Sequence, residues 1–354
     1  MVRLNKGPYL VILALAVLAF FGAWVRTYAL TPSSSCVYTL AEQNAAPADV
    51  LFVGTSRMGR GIDAGYMEKR LAAKYGRKAT VERISLSTSN VTQFRPVIKR
   101  YVEARGAPKL VFLQLIYNFK PEERRSADMP VNPPRNVAFA PLDELLQIQK
   151  EAELNDHETV LPRSLEAGYM SIPAMLLAKV EMTIVAALKY PAHRLLGRTT
   201  GCRGAEMHRH MNPTRLYNSI NDQVTFQPET EARAKKRAAN LKITQAYLPF
   251  AALSPVRRFE NQQMKAMIDQ LERGGSKVVL AYLPALGERA IAPEVLDEIR
   301  AAFPGNPLVH PMSLFAGEDG DKLATSFVDT HHVDHYGALQ FSRYFAARIA
   351  QELN

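Results

Sequence analysis

The feature that most constrains the fold is an alternation of apolar, strand-like runs with helical patterns, found in two stretches of the chain. The first stretch has strand-like runs at 49–54, 80–86 and 109–116, with helical patterns at 66–75 and 94–104. The second has helical patterns at 258–273, 292–303 and 337–352, with strand-like runs at 277–282 and 307–310. Strands and helices alternating at this spacing predict a doubly wound α/β sheet.

About 130 residues separate the two stretches and interrupt the alternation. From 121 to 250 the pattern is mainly helical, with segments at 142–153, 171–190 and 229–246. Segment 171–190 raises the alternative of a second membrane contact. We favour a packed core helix there, because Lys179 and Glu181 near its middle are costly in lipid. The predicted domains are therefore an α/β domain, formed by 49–120 and 251–354, and a helical insertion at 121–250.

The N-terminal segment predicts a membrane anchor. Between Lys6 and Arg26 lie 19 residues without a charge, and a helix of that length covers about 28 Å, close to the thickness of the hydrocarbon layer. Basic residues precede the run, so the positive-inside rule places the N-terminus in the cytoplasm of a bacterial-type cell and the bulk of the chain in the periplasm. Residues 1–30 are thus predicted to be a cytoplasmic flank and a single transmembrane helix, and 31–48 a tether.

Two questions about the exported chain stay open at this point. A cleaved signal peptide is the alternative to an anchor, since Thr27-Tyr28-Ala29 offers small residues at the positions that signal peptidase reads. The length of the apolar run favours the uncleaved anchor. Cys36 and Cys202 either form one disulfide in an oxidising compartment or stay as free thiols.

Charge and composition narrow the class of protein and its partners. The chain of 354 residues carries a formal net charge of +10, which permits nucleic acid, anionic lipid or an anionic polymer as a neighbour. Export argues against nucleic acid, so the predicted partners are the membrane and an envelope polysaccharide or other anionic polymer. A hydrophobic content of 47% and only two cysteines exclude a disordered chain and a disulfide scaffold.

Two short stretches lie where an α/β sheet places functional groups, at the carboxyl ends of strands. The first is Gly54-Thr55-Ser56-Arg57, and the second is DTHHVDHYGA at 329–338. Together they resemble the SGNH/GDSL hydrolase superfamily. The likeness is greater to its membrane-anchored branch, which includes the teichoic-acid D-alanyl transfer protein and polysaccharide O-acetylation proteins. The resemblance covers 49–118 and 255–354, and it implies a flavodoxin-like, SGNH-type parallel sheet.

The resemblance assigns three catalytic roles. The nucleophile is Ser56, and an Asp-x-x-His motif supplies Asp329 and the general base His332, with Gly337 five residues beyond the base. The neighbouring His331 is the second choice, because it would shorten the motif. The chemistry requires these residue types, since a serine hydroxyl is a poor nucleophile until an imidazole takes its proton and a carboxylate holds the imidazole in the right tautomer.

The resemblance also implies an oxyanion hole with three donors. These are the backbone N–H of Ser56, a backbone N–H after the second strand and an Asn side chain after the third. Asn118 occupies the third position, without the Gly and Asp that usually surround it in the family. After the second strand the family has glycine, whereas this sequence offers Asn90, which tolerates positive φ better than most residues.

Each of these residues also has an interpretation without catalysis. Ser56 in a Gly-Thr-Ser turn is an ordinary candidate for a helix N-cap. The histidines and aspartates at 329–335 suggest either a metal cluster or a polar loop that begins a helix. We predict no metal and no cofactor, because the family-like spacing accounts for Asp329 and His332 without one.

The predicted function is a membrane-anchored serine esterase or O-acyltransferase that acts on a glycan or envelope polymer through an acyl-enzyme at Ser56. The sequence departs from the family pattern at Asn90 and around Asn118, and these departures suggest an alternative function without catalysis. This is a noncatalytic scaffold or polymer-binding partner of a multispan membrane acyltransferase. A third option is a membrane-surface lipase, suggested by the anchor and the apolar segment 171–190.

Overall fold

A computed structural model describes seven parts of the chain, namely 46–86, 91–115, 245–247, 255–286, 288–316, 320–327 and 331–353. The predicted anchor, the two cysteines and the helical segments at 142–153 and 171–190 lie outside these residues. Within the described parts, no helix combines the length and the apolar character needed to cross a bilayer.

Five parallel strands form the central sheet. They are β1 (Val50–Thr55), β2 (Val81–Leu86), β3 (Leu110–Gln114), β5 (Lys277–Ala281) and β7 (Leu308–Val309). Their order across the sheet is β2-β1-β3-β5-β7, and every pairing is parallel. This is a common order of doubly wound sheets, in which the direction of winding reverses between β1 and β3. The predicted α/β fold with a parallel sheet is confirmed.

Helices cover both faces of this sheet. One face carries α3 (Val91–Arg105), α4 (Pro255–Arg273) and α5 (Pro293–Ala302). The other carries α1 (Ser56–Gly61), α2 (Ala64–Tyr75), a 3-10 helix (Pro311–Phe315), α6 (Gly320–Thr325) and α7 (His335–Glu352). Successive strand side chains point to opposite faces, so a strand covered on both sides is apolar throughout. Leu51 accordingly packs into the first layer and Phe52 into the second.

An aromatic cluster fixes α7 on the sheet. The rings of Phe52 and Phe112 stack at a centroid distance of 4.7 Å. Phe345 of α7 meets both rings edge-on, at 5.5 and 5.4 Å. Such ring pairs stabilise by about 0.5–1.5 kcal/mol beyond the area that they bury. The cluster therefore holds the helix that follows the histidine-rich stretch at a fixed position on β1 and β3.

Every strand and helix predicted within the described α/β stretches is present, with both ends within three residues of the prediction. One prediction is wrong at its end. The helix expected at 229–246 overlaps β4 (Gln245–Tyr247), which pairs in parallel with β6 (Glu288–Ala290) in a separate two-stranded sheet. Strands of three residues have too few positions for a period to show, so their pairing stabilises them rather than their local pattern.

Candidate active site

Ser56 lies at the carboxyl end of β1, where the strand turns directly into α1. The N-cap of α1 is Thr55, whose Oγ1 accepts a hydrogen bond from the Arg57 backbone N–H at 3.4 Å. Ser56 is the first residue of the helix. The interpretation of Ser56 as the helix cap is therefore wrong, because its neighbour has that role.

The Ser56 side chain instead contacts an imidazole. Ser56 Oγ and His332 Nε2 are 2.8 Å apart, and 276 positions of sequence separate the two residues. The serine hydroxyl donates to Nε2 in the tautomer that carries its proton on Nδ1. Of the two adjacent histidines that the sequence offered as a base, it is His332 that contacts Ser56. Asp329, Asn118 and Asn90 lie outside the described residues.

The start of α7 holds the segment that carries His332. Phe327 and Val333 form an antiparallel bridge, and the Asp334 backbone N–H donates to the Ser326 carbonyl at 2.7 Å. Asp334 then caps α7, because its Oδ1 accepts from the Gly337 N–H at 3.1 Å. These contacts anchor the chain immediately after His332 to residues that precede it, so the position of the imidazole is set by backbone pairing.

Close packing accounts for the glycine at position 337. A Cβ at Gly337 would lie 2.5 Å from Ser326 Oγ and 2.6 Å from Val333 Cβ, which is nearer than side chains approach each other. The first turn of α7 therefore rests directly on the bridged segment.

In the part of the chain that the structure describes, no group of three or more His, Cys, Asp or Glu residues is arranged to hold a metal ion.

Gln114, at the end of β3, braces the turn that carries Ser56. Its Oε1 accepts from the Thr55 backbone N–H at 2.9 Å and from Thr55 Oγ1 at 3.3 Å. The Gly54 backbone lies close to the side chains of Gln114 and Met58. A Cβ at position 54 would collide with Gln114 Oε1 and would lie 2.8 Å from Met58 Cβ. Sequence reasoning missed Gln114, although one polar residue inside the apolar run KLVFLQLI was the available signal.

Arg57 connects the same turn to the end of β5. Its Nη1 donates to the Leu283 carbonyl at 3.3 Å and to the Tyr282 hydroxyl at 3.4 Å. Tyr282 in turn donates to Glu288 Oε2 at 2.7 Å, and the same oxygen accepts from the Ala285 N–H at 2.6 Å. Burial raises the pKa of the Tyr282 hydroxyl, and the negative charge of Glu288 raises it further. The phenol therefore stays protonated and able to donate to the carboxylate.

A second polar cluster lies between α2 and α7, beyond α1. Asp63 caps α2 by accepting from the Tyr66 N–H at 2.9 Å, and its own N–H donates to Ser342 Oγ at 2.8 Å. Burial raises the pKa of Asp63 and lowers that of His335. The negative charges of Asp63 and Asp334 oppose the change at His335 but do not cancel it. This cluster joins α2, which follows the short helix that begins at Ser56, to α7, which follows His332.

No protein-family model matches the chain, and no curated protein sequence matches it either.

Proposed function

We propose that this chain is a serine esterase or O-acyltransferase of the SGNH type, anchored in the cytoplasmic membrane and acting on a glycan or envelope polymer outside it. The observation that carries the proposal is the 2.8 Å contact between Ser56 Oγ and His332 Nε2. A nucleophile and its base must lie within about 2.6–3.2 Å of each other for a proton to pass between them. The pair also lies at the carboxyl end of β1, beside the point where the winding of the sheet reverses, where doubly wound folds bind ligands.

The chemistry follows from that pair in two halves. In the first, Ser56 Oγ attacks the acyl carbonyl carbon while His332 Nε2 takes the hydroxyl proton, and a tetrahedral oxyanion forms. The oxyanion then collapses, the bond to the alkoxy oxygen breaks, and the imidazolium returns its proton to the departing alcohol. In the second half, water or an acceptor hydroxyl attacks the acyl-serine while His332 Nε2 takes its proton. The bond between the acyl carbon and Ser56 Oγ then breaks, and the imidazolium returns the proton to Ser56 Oγ. Hydrolysis and transfer differ only in that second nucleophile.

Four further groups complete the proposed site. Asp329 is proposed to orient the His332 ring from the Nδ1 side, and the Ser56 N–H, Asn118 and Asn90 to stabilise the oxyanion. A single oxyanion donor typically contributes a factor of about 10²–10³ to kcat. The uncharged run between Lys6 and Arg26 supports the proposed location, and the formal net charge of +10 suits a membrane or an anionic polymer as the neighbour.

The direct test is covalent labelling of the nucleophile. Full-length protein in detergent is treated with a fluorophosphonate, and the adduct is located by peptide mass spectrometry. We expect one adduct, on Ser56, and none in the matched Ser56→Ala variant. A folded protein that is labelled at another residue, or is not labelled at all, contradicts the catalytic proposal.

The Asn at position 90, where the family has glycine, favours a second candidate function. This is a noncatalytic scaffold for a multispan membrane acyltransferase. Cells that lack the protein, cells with Ser56→Ala and cells with the unchanged chain separate the two candidates. The acyl-enzyme proposal requires the alanine variant to match the deletion in the amount of acylated envelope polymer. Full restoration by the alanine variant would establish the scaffold instead.

A further inference from the structure

A buried carboxamide lies directly behind the nucleophile turn. Gln114 is 3% exposed, at the carboxyl end of β3, and β3 is the neighbour of β1 in the sheet. Its carbonyl oxygen accepts from both donors of Thr55, the backbone N–H at 2.9 Å and the hydroxyl at 3.3 Å. Gly54 leaves the space that the amide occupies. Two consecutive residues of the chain, Gly54 and Thr55, are thus arranged around one side-chain oxygen.

These contacts fix the direction of the Thr55 hydroxyl. A hydroxyl has one proton and two lone pairs. When the proton is donated to Gln114, the lone pairs face the Arg57 N–H, 3.4 Å away, and Thr55 caps α1. Ser56 lies between Thr55 and Arg57, so the residues on both sides of the nucleophile are held. A methionine would fill similar space without the cost of burying an amide, but it would offer no comparable acceptor to Thr55.

We propose that Gln114 is a positioning residue for Ser56, and that its carbonyl oxygen holds the turn between β1 and α1 where Ser56 Oγ meets His332 Nε2. The catalytic consequence rests on the proposed function, whereas the geometric consequence does not. A displacement of about 1 Å at a reacting group is enough to lower a rate about 10²-fold. Loss of the Gln114 acceptor should therefore slow reaction at Ser56 without removing any group that touches the substrate.

The first test compares Gln114→Met, which removes the acceptor, with Gln114→Glu, which keeps an oxygen at the same place. We expect the rate constant for fluorophosphonate labelling, per folded molecule, to fall about 10–100-fold in Q114M and to stay within about threefold of the unchanged chain in Q114E. Thermal unfolding is measured in parallel. A buried carboxylate is costly, so Q114E is expected to be the less stable of the two variants. Q114E should then be the more reactive variant, and Q114M the more stable one.

The control is Val111→Ala on the same strand, whose side chain packs in the core layer on the opposite face of the sheet from Phe112 and Gln114. It should lower the unfolding temperature and leave labelling per folded molecule unchanged. Labelling that follows stability across all three variants, or Q114M that reacts as fast as the unchanged chain, overturns the proposal.

The second test does not depend on esterase activity. In S56C, a thiol beside His332 is expected to ionise below the usual thiol pKa of about 8.5. Its alkylation by iodoacetamide, followed by mass spectrometry at position 56, should therefore persist at low pH. In Q114M/S56C the midpoint should move up towards the usual value. An alkylation profile that is the same in both backgrounds contradicts positioning by Gln114, as does an ordinary thiol in S56C alone.

The two tests separate the two proposals. A chain that no fluorophosphonate labels, but whose S56C alkylation depends on Gln114, would retain the positioning role and lose the proposed catalytic function. Labelling at Ser56 that is insensitive to Q114M would retain the proposed catalytic function and exclude the positioning role of Gln114.

Discussion

At the scale of single residues, the candidate site depends on side chains that meet from distant parts of the sequence. Ser56 and His332 could be predicted because each lies in a short motif with a recognisable spacing. Gln114 and Glu288 could not, since their roles depend on partners placed by the sheet, Thr55 in one case and Tyr282 in the other. Local motifs therefore indicated the two side chains that meet at the candidate site, but not the side chains that hydrogen-bond to the neighbouring turns.

The first prediction concerns the base. His332→Ala should lower the rate of Ser56 labelling by about 10²–10⁴-fold, because general base catalysis by a positioned imidazole typically contributes a factor of that size. His331→Ala is the matched control and should stay within about threefold of the unchanged chain. The measurement is the labelling rate for folded protein at one pH. A larger loss in H331A than in H332A would assign the base to the other histidine.

At the scale of elements, apolar runs and helical periods identified the long segments. The elements that escaped prediction are short: α1 has only six residues and β4 and β6 three each, too few for a period to be visible. The start of α7 was predicted two residues late, since its cap is Asp334 rather than a residue nearer Gly337. That cap matters for the site, because it lies two residues after His332.

The second prediction follows from this cap. Asp334→Ala should destabilise the protein by about 1 kcal/mol, the usual effect of losing an N-cap, because the Gly337 N–H loses its acceptor. Asp334→Asn retains an oxygen at the same place and should be close to the unchanged chain. Chemical denaturation of both variants measures the difference. Equal stability of the alanine and asparagine variants would show that the cap contributes nothing.

At the scale of the whole molecule, the sequence predicted the α/β class and the two-sided sheet. The alternation does not by itself give the strand order, because any right-handed arrangement of parallel strands produces the same pattern along the chain. The separate β4–β6 pair was also beyond prediction, since it joins a residue range assigned to the insertion with one in the α/β domain.

The third prediction concerns stability at mildly acidic pH. Burial lowers the pKa of both His335 and His310 below the usual value of about 6.5. Below pH 6.5 the unfolded chain therefore binds more protons than the folded chain, and the free energy of unfolding should fall as the pH falls. His335→Gln should make this decrease smaller. Denaturant midpoints between pH 7.5 and 5.5 measure it, and an unchanged slope in H335Q would exclude His335 as a source.

The fourth prediction concerns the location of the protein. Deletion of residues 2–30 should move the protein from the membrane fraction to the soluble fraction, since the uncharged run between Lys6 and Arg26 is the predicted anchor. The full chain should also be digested by protease added to the outer face of spheroplasts. A full chain that is extracted by carbonate, or is protected from the protease, would contradict the proposed topology.

The pairing of β3 with β5 has a consequence for the order in which the sheet forms during synthesis. β3 ends at Gln114 and β5 begins at Lys277, so 162 residues leave the ribosome between these neighbouring strands. At about 5–20 residues per second, roughly 10–30 s pass before β5 arrives. A sheet of β2, β1 and β3 formed during that interval would have an apolar, unpaired edge at β3, which is the kind of surface that aggregates. Synthesis of the full sheet therefore favours protection of that edge until the last strands are made.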